Sequence, residues 1–342
     1  RIENDGFTYE GDIQNGEMCG EGTMTFTDGS KIEGHFDNGE LHGKGIYYCD
    51  DGRRIIGTYN RGCLEGKVKE ITAEGDRVIF EGDYVDNMRH GQGKLTTECG
   101  GVYQGMWKEG KFHGQNNVYH YPKVPGIPGN KSTPNRFYSL HGEWANGKMI
   151  KAAVFLGNIE VKDEKGNTIY LTEDISTDTC ISKDPLLCDP YEHSLVIVRP
   201  SSIPNSGEGL FAKVLLPDDT IVSYYNGIRI PQSLVDQREW EMNSNTITLE
   251  EEDEEEKGTS IDVPPPYDKT SSYVASLGHK VNHTFDEERQ NCVYAHCEHP
   301  RFGHIKCIQT TRRVAAGEEL LVCYGYDLLN ATGHGAPKWF LD

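Results

Sequence analysis

Residues that could bind a ligand or move a proton are concentrated in short segments of the second half of the sequence. The first segment is Ser206 to Phe211, a glycine turn that leads into an apolar run, and the second is Tyr224 to Gly227. The third is Leu277 to His283, and the fourth is Gly317 to Leu320, followed by Tyr324 to Asp327. Glycine permits close backbone approach because it lacks a Cβ, while amide, imidazole and phenol groups form hydrogen bonds. The pattern therefore favours a ligand site assembled from several distant segments.

A metal site is one alternative for these polar groups. His279 and His283 have i, i+4 spacing, but no third ligand stands near them in the sequence. Cys292 and Cys297 could bind a metal together with a neighbouring histidine, although the ten cysteines contain no C-x-x-C pair. Scattered thiols of this kind are typical of reduced cysteines in a cytosolic or nuclear protein. We therefore expect a chain that requires no metal.

In their order and spacing, the four segments resemble the SET domain of protein lysine methyltransferases. With the repeats described below, nearly the whole chain resembles the SET7/9 type of histone lysine methyltransferase. The resemblance implies transfer of a methyl group from S-adenosyl-L-methionine to a lysine amine, with S-adenosyl-L-homocysteine as product. Without the other segments, Asn282-His283 would be better explained as a turn with a satisfied core histidine. The positions that the resemblance assigns to the cofactor are Ser206, Gly207, Glu208, His279, Lys280, Asn282, His283 and Trp339.

The resemblance also implies a narrow aromatic channel around the substrate lysine. A free lysine has a pKa of about 10.4, so making the neutral amine at pH 7 costs about 4 kcal/mol. An apolar channel and a nearby sulfonium both lower the pKa of that amine. The resemblance makes Tyr324 the catalytic tyrosine, while Tyr225 and Tyr294 bind the amine and exclude a second methyl group. The full catalytic set that it implies is Tyr225, His283, Tyr294, Tyr324 and Tyr326.

A peptide groove is the third feature that the resemblance implies. The expected substrates are basic protein segments, namely the histone H3 tail at its fourth-position lysine and assorted transcription regulators. Asp236 would suit a Lys or Arg that precedes the target lysine. The expected location is the nucleus, on chromatin, with the cytoplasm as a second compartment. The implied peptide-contacting residues are Tyr225, Asp236, Thr246, Arg301, Lys306 and Tyr324.

The sequence departs from the family pattern in three places, of which one is a lengthened segment at Asp286 to Arg289. The run Glu250 to Glu256 contains seven consecutive acidic residues, which we interpret either as a solvated loop or as an aid to substrate capture. The chain also ends at Asp342, so we expect the C-terminal segment 328–342 to be truncated relative to the family's closing helix. That departure leaves a second hypothesis open, a non-catalytic scaffold in which the SET half is degenerate and the repeats dock a partner.

The elements that would position these residues begin with an internal repeat. A glycine recurs at steps of 23 to 25 residues from Gly11 to Gly105, and again at Gly142. Each step contains a turn such as Asp37-Asn38-Gly39 and short alternating runs, which predict one β-hairpin per repeat. Such hairpins must stack into an extended sheet to be stable. The pattern resembles MORN repeats between Tyr9 and Lys151, which would serve as a docking surface or as a structural scaffold.

The second half carries short β-strand signals and no βαβ alternation. The one helix that we predict there is Ser233 to Glu241, with Ser233 as N-cap. We read the polar segment from Asp174 to Tyr191 as a linker. The predicted fold class is mainly β, with stacked MORN hairpins followed by a SET fold of several small β-sheets. The predicted domains are 1–157 (MORN), 158–192 (connecting), 193–327 (SET) and 328–342 (C-terminal).

Composition narrows the range of partners. The chain has 342 residues, with 34 Lys and Arg against 54 Asp and Glu, and its formal net charge is −20. Such an acidic balance argues against direct nucleic-acid binding, which depends on neutralising phosphates with basic residues, and suits basic partners. No apolar stretch approaches the length of a transmembrane helix, and Arg1 to Gly6 lacks the features of a signal peptide. We therefore expect a monomer that binds basic proteins and neither nucleic acid nor membrane.

Overall fold

The structure is a computed structural model that describes residues 1–75, 77–123, 137–177, 179–250 and 259–324. It divides into two compact units. The first consists of Arg1–His120 with Ser139–Ala153, and the second of Tyr121–Tyr138 with Val154–Asp342. Both units are built mainly from β-strands, which confirms the predicted fold class. The domain boundaries predicted from the sequence stay predictions.

The first unit is an antiparallel sheet in which strands follow one another in chain order. A short strand, β11, pairs only with β10, so that β12 lies next to β10 in the sheet. The strands are β1 (Ile2–Glu3), β2 (Phe7–Gln14), β3 (Glu17–Phe26), β4 (Lys31–Asp37), β5 (Glu40–Tyr48), β6 (Arg54–Asn60), β7 (Cys63–Ile71), β8 (Val78–Val85), β9 (Met88–Thr96), β10 (Val102–Lys108), β11 (Lys111–Phe112), β12 (Gly114–His120), β13 (Tyr138–Ala145) and β14 (Lys148–Leu156).

Hairpin turns and a row of glycines explain why the repeats form this sheet. In the turn after β4, Asn38 and Gly39 have φ values of 50° and 84°, as the Asn-Gly pair predicts. Gly82 lies opposite Gly93, and Gly93 lies opposite Gly105, so glycines face one another on successive strands. Buried aromatic rings pack directly over this row because no Cβ is in the way.

Adding one methyl group to the glycine row is expected to destabilise the first unit. A Cβ at Gly93 would lie 2.7 Å from the Phe80 ring and 2.9 Å from Trp107 Nε1. We expect Gly93→Ala to lower the free energy of unfolding by about 1–3 kcal/mol, as overpacking of a core does. Gly6→Ala is the matched control, since its Cβ would meet only Asn4 Oδ1 at 3.7 Å. Equal denaturant midpoints for the two variants would contradict this account of the glycine row.

The second unit contains four small sheets and short helical elements. The sheets are β17–β18, β19–β25–β24, β20–β22–β21 and the parallel pair β23–β26. In the described part of the chain, no helix is long and apolar enough to cross a membrane. The elements are β15 (Ile159–Glu160), β16 (Tyr170–Leu171), α1 (Pro190–Leu195), β17 (Val196–Pro200), β18 (Glu208–Ala212), β19 (Ile221–Tyr225), β20 (Ile228–Pro231), α2 (Gln232–Gln237), β21 (Thr246–Glu250), β22 (Thr259–Asp262), β23 (Asn282–His283), β24 (Cys292–His299), β25 (Gly303–Thr310) and β26 (Leu321–Val322), with 3₁₀ turns at Trp240–Asn243 and Gly278–Lys280.

The helices differ from the sequence-based expectation in two ways. Helix α1 (Pro190–Leu195) overlaps the end of the segment from Asp174 to Tyr191 that we predicted to be a linker. It begins there because the Asp189 side chain accepts a hydrogen bond from Glu192 N and because Pro190 suits the first helical position. Helix α2 ends at Gln237 rather than at Glu241, and it begins after Pro231 without a side-chain cap. The predicted N-cap role of Ser233 is therefore wrong.

Candidate functional site

Three of the four sequence segments meet around Asn282. The Asn282 side-chain amide donates to the Glu208 carbonyl oxygen at 3.1 Å and to Glu319 Oε1 at 3.2 Å. Lys280 Nζ lies 2.8 Å from Glu208 Oε2, and it also contacts the Asp268 carbonyl oxygen. The two Asn282 bonds join residues that are 74 and 37 positions apart in the chain. The predicted cofactor positions Glu208, Lys280 and Asn282 are thus brought together.

Glu319 organises the turn that precedes Glu208. Its carboxylate accepts hydrogen bonds from Ser201 Oγ at 2.6 Å and from Ser202 N at 2.8 Å, as well as from the Ser202 hydroxyl. Burial alone would raise the pKa of Glu319, but these hydrogen bonds outweigh it and lower the pKa. We did not predict a role for Glu319 from the sequence, although it lies within the Gly317 to Leu320 motif. Glu319 thus connects the Gly317 to Leu320 segment to the turn that leads into the Ser206 to Phe211 segment.

The predicted cofactor positions Ser206 and Gly207 lie in that same turn. The Gly207 carbonyl oxygen accepts a hydrogen bond from Ser201 N at 2.8 Å, and Ser206 N donates to the Ile203 carbonyl oxygen at 3.3 Å. Gly207 has a φ of 66°, a left-handed conformation that favours glycine. The turn therefore delivers Glu208 to the start of β18.

Three of the four predicted channel tyrosines form one aromatic cluster. The ring centroid of Tyr294 lies 6.3 Å from that of Tyr225 and 6.2 Å from that of Tyr324. Tyr225 ends β19 and is 4% exposed. The Tyr324 hydroxyl donates a hydrogen bond to the Val281 carbonyl oxygen, next to Asn282. The aromatic cluster, Tyr225, Tyr294 and Tyr324, is therefore linked to the segment that carries the predicted cofactor residues.

Two buried histidines lie beside this cluster in the neutral form. Burial lowers the pKa of His283 to about 4, and its Nδ1 accepts a hydrogen bond from Tyr324 N at 2.9 Å. Burial also lowers the pKa of His279 to about 3. Within the described residues, neither ring nitrogen of His279 has a hydrogen-bond partner. The His279 ring centroid is 6.4 Å from that of Tyr225. Both predicted histidines thus adjoin the aromatic cluster without carrying charge at neutral pH.

The predicted peptide-binding residue Lys306 lies opposite Tyr225 in the β19–β25 pairing. Its Nζ is 2.6 Å from His296 Nε2, and His296 Nδ1 is 3.2 Å from His304 Nε2. The His304 ring in turn bonds Glu298 Oε1 at 2.7 Å. If Lys306 donates to His296 Nε2, both imidazoles can be neutral. His296 Nδ1 then donates to His304 Nε2, and His304 Nδ1 donates to the Glu298 carboxylate. The chain of bonds gives the Lys306 ammonium a defined position on the face of this sheet.

Asp236 and Thr246 lie on the β20–β22–β21 side of the unit. Asp236 is exposed on α2, where Oδ1 accepts a hydrogen bond from Gln232 Nε2 at 3.0 Å. The Thr246 hydroxyl donates to Asp262 Oδ1 at 2.9 Å. Both of these bonds therefore stay within that side of the unit.

Arg301, which was predicted to contact the peptide, is buried inside the second unit. It is 1% exposed, and its guanidinium bonds Asp174 Oδ2 at 3.3 Å, the Asp184 carbonyl oxygen at 3.2 Å and the Leu187 carbonyl oxygen at 2.5 Å. Buried charges are normally retained only with such partners. These bonds argue against the predicted direct contact between Arg301 and a peptide, and they favour a structural role.

Several predicted features lie outside the described residues. They are Tyr326, Trp339, the segment 328–342 and most of the acidic run Glu250 to Glu256. In the part that the structure does describe, no group of three or more His, Cys, Asp or Glu residues is placed to hold a metal ion. Cys292 and Cys297 are both buried.

Comparison with known proteins agrees with the repeats and with the motif segments. Residues 207–325 match the family model of the SET domain, and residues 9–31, 33–53, 80–98 and 103–115 match that of the MORN repeat. The chain is 39% identical over 287 residues to "Histone-lysine N-methyltransferase SETD7" of Halocynthia roretzi, covering 79% of this chain and 68% of that protein.

A solved structure is more distantly similar. It is the "Crystal structure of ATXR5 SET domain in complex with histone H3 di-methylated on R26", at 19% identity and a TM-score of 0.31. The match covers 44% of this chain and 64% of that one, and it carries no argument at this score. The family assignment comes instead from the SETD7 relative together with the two family models. The chain belongs to the SETD7-type family of SET-domain lysine methyltransferases with N-terminal MORN repeats.

Proposed function

We propose that this chain transfers a single methyl group from S-adenosyl-L-methionine to lysines in basic protein segments. The foremost substrate would be the fourth-position lysine of the histone H3 tail, followed by non-histone transcription regulators, and the site of action would be the nucleus. One observation carries the proposal: the aromatic cluster is bonded, through Tyr324, to the segment that contains Asn282 and His283. A monomeric state and the absence of nucleic-acid and membrane partners stay predictions.

The residues around Asn282 fit the cofactor chemically. The Glu208 side chain is 43% exposed beside the Lys280 ammonium, so the site offers both signs of charge. S-adenosyl-L-methionine carries an ammonium, a carboxylate and ribose hydroxyls, which such groups bind by charge-assisted hydrogen bonds. We assign its binding to the predicted positions, with Ser206 and Gly207 contributing backbone. When bound, the cofactor supplies an electrophilic methyl group on its sulfonium sulfur.

The aromatic cluster would prepare the lysine amine for attack. Desolvation between the Tyr225 and Tyr294 rings lowers the pKa of the amine and so raises the fraction that carries a lone pair. The hydroxyl of Tyr324 donates its proton to the Val281 carbonyl oxygen, so towards the substrate its oxygen would act as an acceptor for an amine N–H or a polarised C–H. The rate enhancement would then come mainly from orientation, without a covalent intermediate on the protein.

His283 would position Tyr324 rather than act as a base. With a pKa of about 4, it is a weak proton acceptor at neutral pH. Its hydrogen bond to Tyr324 N fixes the backbone of the tyrosine instead. Lys306, held by His296, would face the peptide beside Tyr225. Asp236 would provide an exposed anion for a basic residue of the substrate.

A peptide assay tests the proposed function. The chain is incubated with S-adenosyl-L-methionine and a histone H3 tail peptide, and the product is read by mass spectrometry. We expect one methyl group on the fourth-position lysine, and a peptide with that lysine replaced by Arg serves as the control. A substrate whose mass does not change would contradict the proposal. In that case, a melting temperature unmoved by millimolar cofactor would favour the non-catalytic scaffold.

The acidic run Glu250 to Glu256 is expected to speed the capture of basic substrates. Its seven negative charges create a potential that extends about 8–10 Å at physiological salt. Replacing the run with Gly and Ser should raise KM for the H3 peptide, most strongly at low salt, and leave kcat nearly unchanged. Steady-state kinetics at two ionic strengths measures both constants. Identical KM values and salt slopes for the two proteins would show that the run is only a solvated loop.

A further inference from the structure

The buried carboxyl group of Glu192 bonds the backbone next to the aromatic cluster and also the backbone of the segment that carries the predicted cofactor residues. Glu192 of α1 is 1% exposed. Its Oε1 accepts hydrogen bonds from Tyr224 N at 2.8 Å, from Leu277 N at 2.9 Å and from the Ser223 hydroxyl. Its Oε2 has no hydrogen-bond partner in the described residues. A single oxygen therefore gathers donors from two segments that are far apart in the sequence.

The two segments are those that carry the proposed chemistry. Tyr224 immediately precedes Tyr225, which belongs to the aromatic cluster. Leu277 immediately precedes the 3₁₀ turn Gly278–Lys280, which leads to Asn282. The segments also touch directly, since a Cβ on Gly278 would lie 2.6 Å from the Tyr224 carbonyl oxygen. Removing the acceptor oxygen of Glu192 would therefore alter the spacing between the lysine channel and the cofactor residues.

Helix α1 gives Glu192 a rigid base. The Asp189 side chain caps the helix, and the hydroxyl of Tyr191 donates to the Ile221 carbonyl oxygen of β19 at 2.8 Å. Burial raises the pKa of Glu192 to about 8, although its hydrogen bonds act in the opposite direction. The group is thus mainly a neutral acceptor at pH 7, which avoids the cost of an isolated buried charge.

We propose that Glu192 is a positioning residue for methyl transfer. Its Oε1 sets the separation between the end of β19, which presents Tyr225, and the Leu277–His283 segment, which presents the cofactor residues. It touches neither substrate nor cofactor, and its effect is on alignment. The inference rests on the proposed function, because alignment is measured here by turnover.

Three substitutions separate alignment from stability. Glu192→Gln keeps an acceptor oxygen at the same position, so we expect kcat within about threefold of the original value. Glu192→Leu removes the acceptor and leaves Tyr224 N and Leu277 N unpaired, so we expect kcat to fall at least about 30-fold. KM for the H3 peptide and the Kd for cofactor should stay within about threefold. Leu195→Ala, on the same helix and also buried, is the control that destabilises α1 without touching the Glu192 bonds.

The outcomes distinguish the inference from the proposed function. Loss of kcat in Glu192→Leu with retention in Glu192→Gln and Leu195→Ala supports it. Equal kcat in all variants, or equal losses in Leu195→Ala and Glu192→Leu, would overturn it while leaving the function intact. An inactive unmodified chain would count against the function instead. If Glu192→Leu does not fold, Glu192→Asp keeps the carboxyl group but shortens the side chain by one methylene, so that it no longer bonds Tyr224 N and Leu277 N at the same spacing, and an unchanged kcat there would overturn the inference.

The pH dependence of stability tests independently whether the Glu192 carboxyl group is protonated in the folded chain. Between pH 4.5 and about 8, the folded chain keeps a proton on Glu192 that the unfolded chain releases. Stability from this group therefore falls as pH rises through that window, whereas Gln does not titrate. The Tm of Glu192→Gln minus that of the original protein should increase from pH 5 to pH 8. The titratable neighbours Cys188, Asp189 and Tyr273 are common to both proteins. A constant difference would show that Glu192 is already ionised.

Discussion

Replacing Tyr324 with Phe is expected to lower kcat for methyl transfer by about 10²–10³-fold, the usual cost of removing one positioned hydrogen-bonding group at a reaction centre. The hydroxyl that is lost bonds the Val281 carbonyl oxygen, and the ring lies 5.1 Å from His283 and 6.2 Å from Tyr294. Because Phe keeps the ring, packing with these neighbours is retained. The free energy of unfolding should fall by only about 1 kcal/mol.

The measurement is single-turnover methylation of the H3 peptide, with the unfolding midpoint recorded for the same protein. Tyr48→Phe is a matched control, because it removes a hydroxyl that bonds Glu33 Oε2 at 2.9 Å in the first unit. That variant should keep its activity. Turnover of Tyr324→Phe at the rate of the unmodified chain would remove Tyr324 from the catalytic role.

Enlarging the space between the rings of the aromatic cluster is expected to change the product from monomethyl-lysine to dimethyl-lysine. The Tyr225 and Tyr294 rings meet edge to face at a centroid distance of 6.3 Å, and Tyr225 is 4% exposed. Close packing of this kind leaves little room for a methylated amine to turn. Tyr225→Ala removes a whole ring, and Tyr294→Phe removes a hydroxyl group. Either change should admit a second methyl group.

Mass spectrometry of the peptide at long reaction times resolves the one-methyl and two-methyl products. The Tyr48→Phe control should yield only the monomethyl product, as the unmodified chain should. Dimethyl-lysine as a main product of the unmodified chain would contradict the proposed monomethylation. If both channel variants still stop at one methyl group, the aromatic cluster would not be what limits the product.

Local patterns in the sequence were sufficient for the hairpins and for the family. Positive-φ turns such as Asn38-Gly39 depend on neighbouring residues alone, so spacing predicts them well. The short strands of the second half agree with the β-strand signals that we found there, as β19 (Ile221–Tyr225) illustrates. The order of the motif segments carried the resemblance to the SET family. Helix α1 was missed because a polar, proline-containing segment also suits a linker.

Contacts between distant residues were decided only by the tertiary structure. Glu192 and Leu277 are 85 positions apart, and Asn282 and Glu208 are 74 apart, so no local pattern pairs them. Burial also depends on the tertiary structure: the resemblance made Arg301 a peptide contact, yet its guanidinium is buried against Asp174 and the Leu187 carbonyl oxygen. Side-chain type and spacing specify which elements form, whereas desolvation and hydrogen bonding between elements decide which groups face the reaction site and which support it.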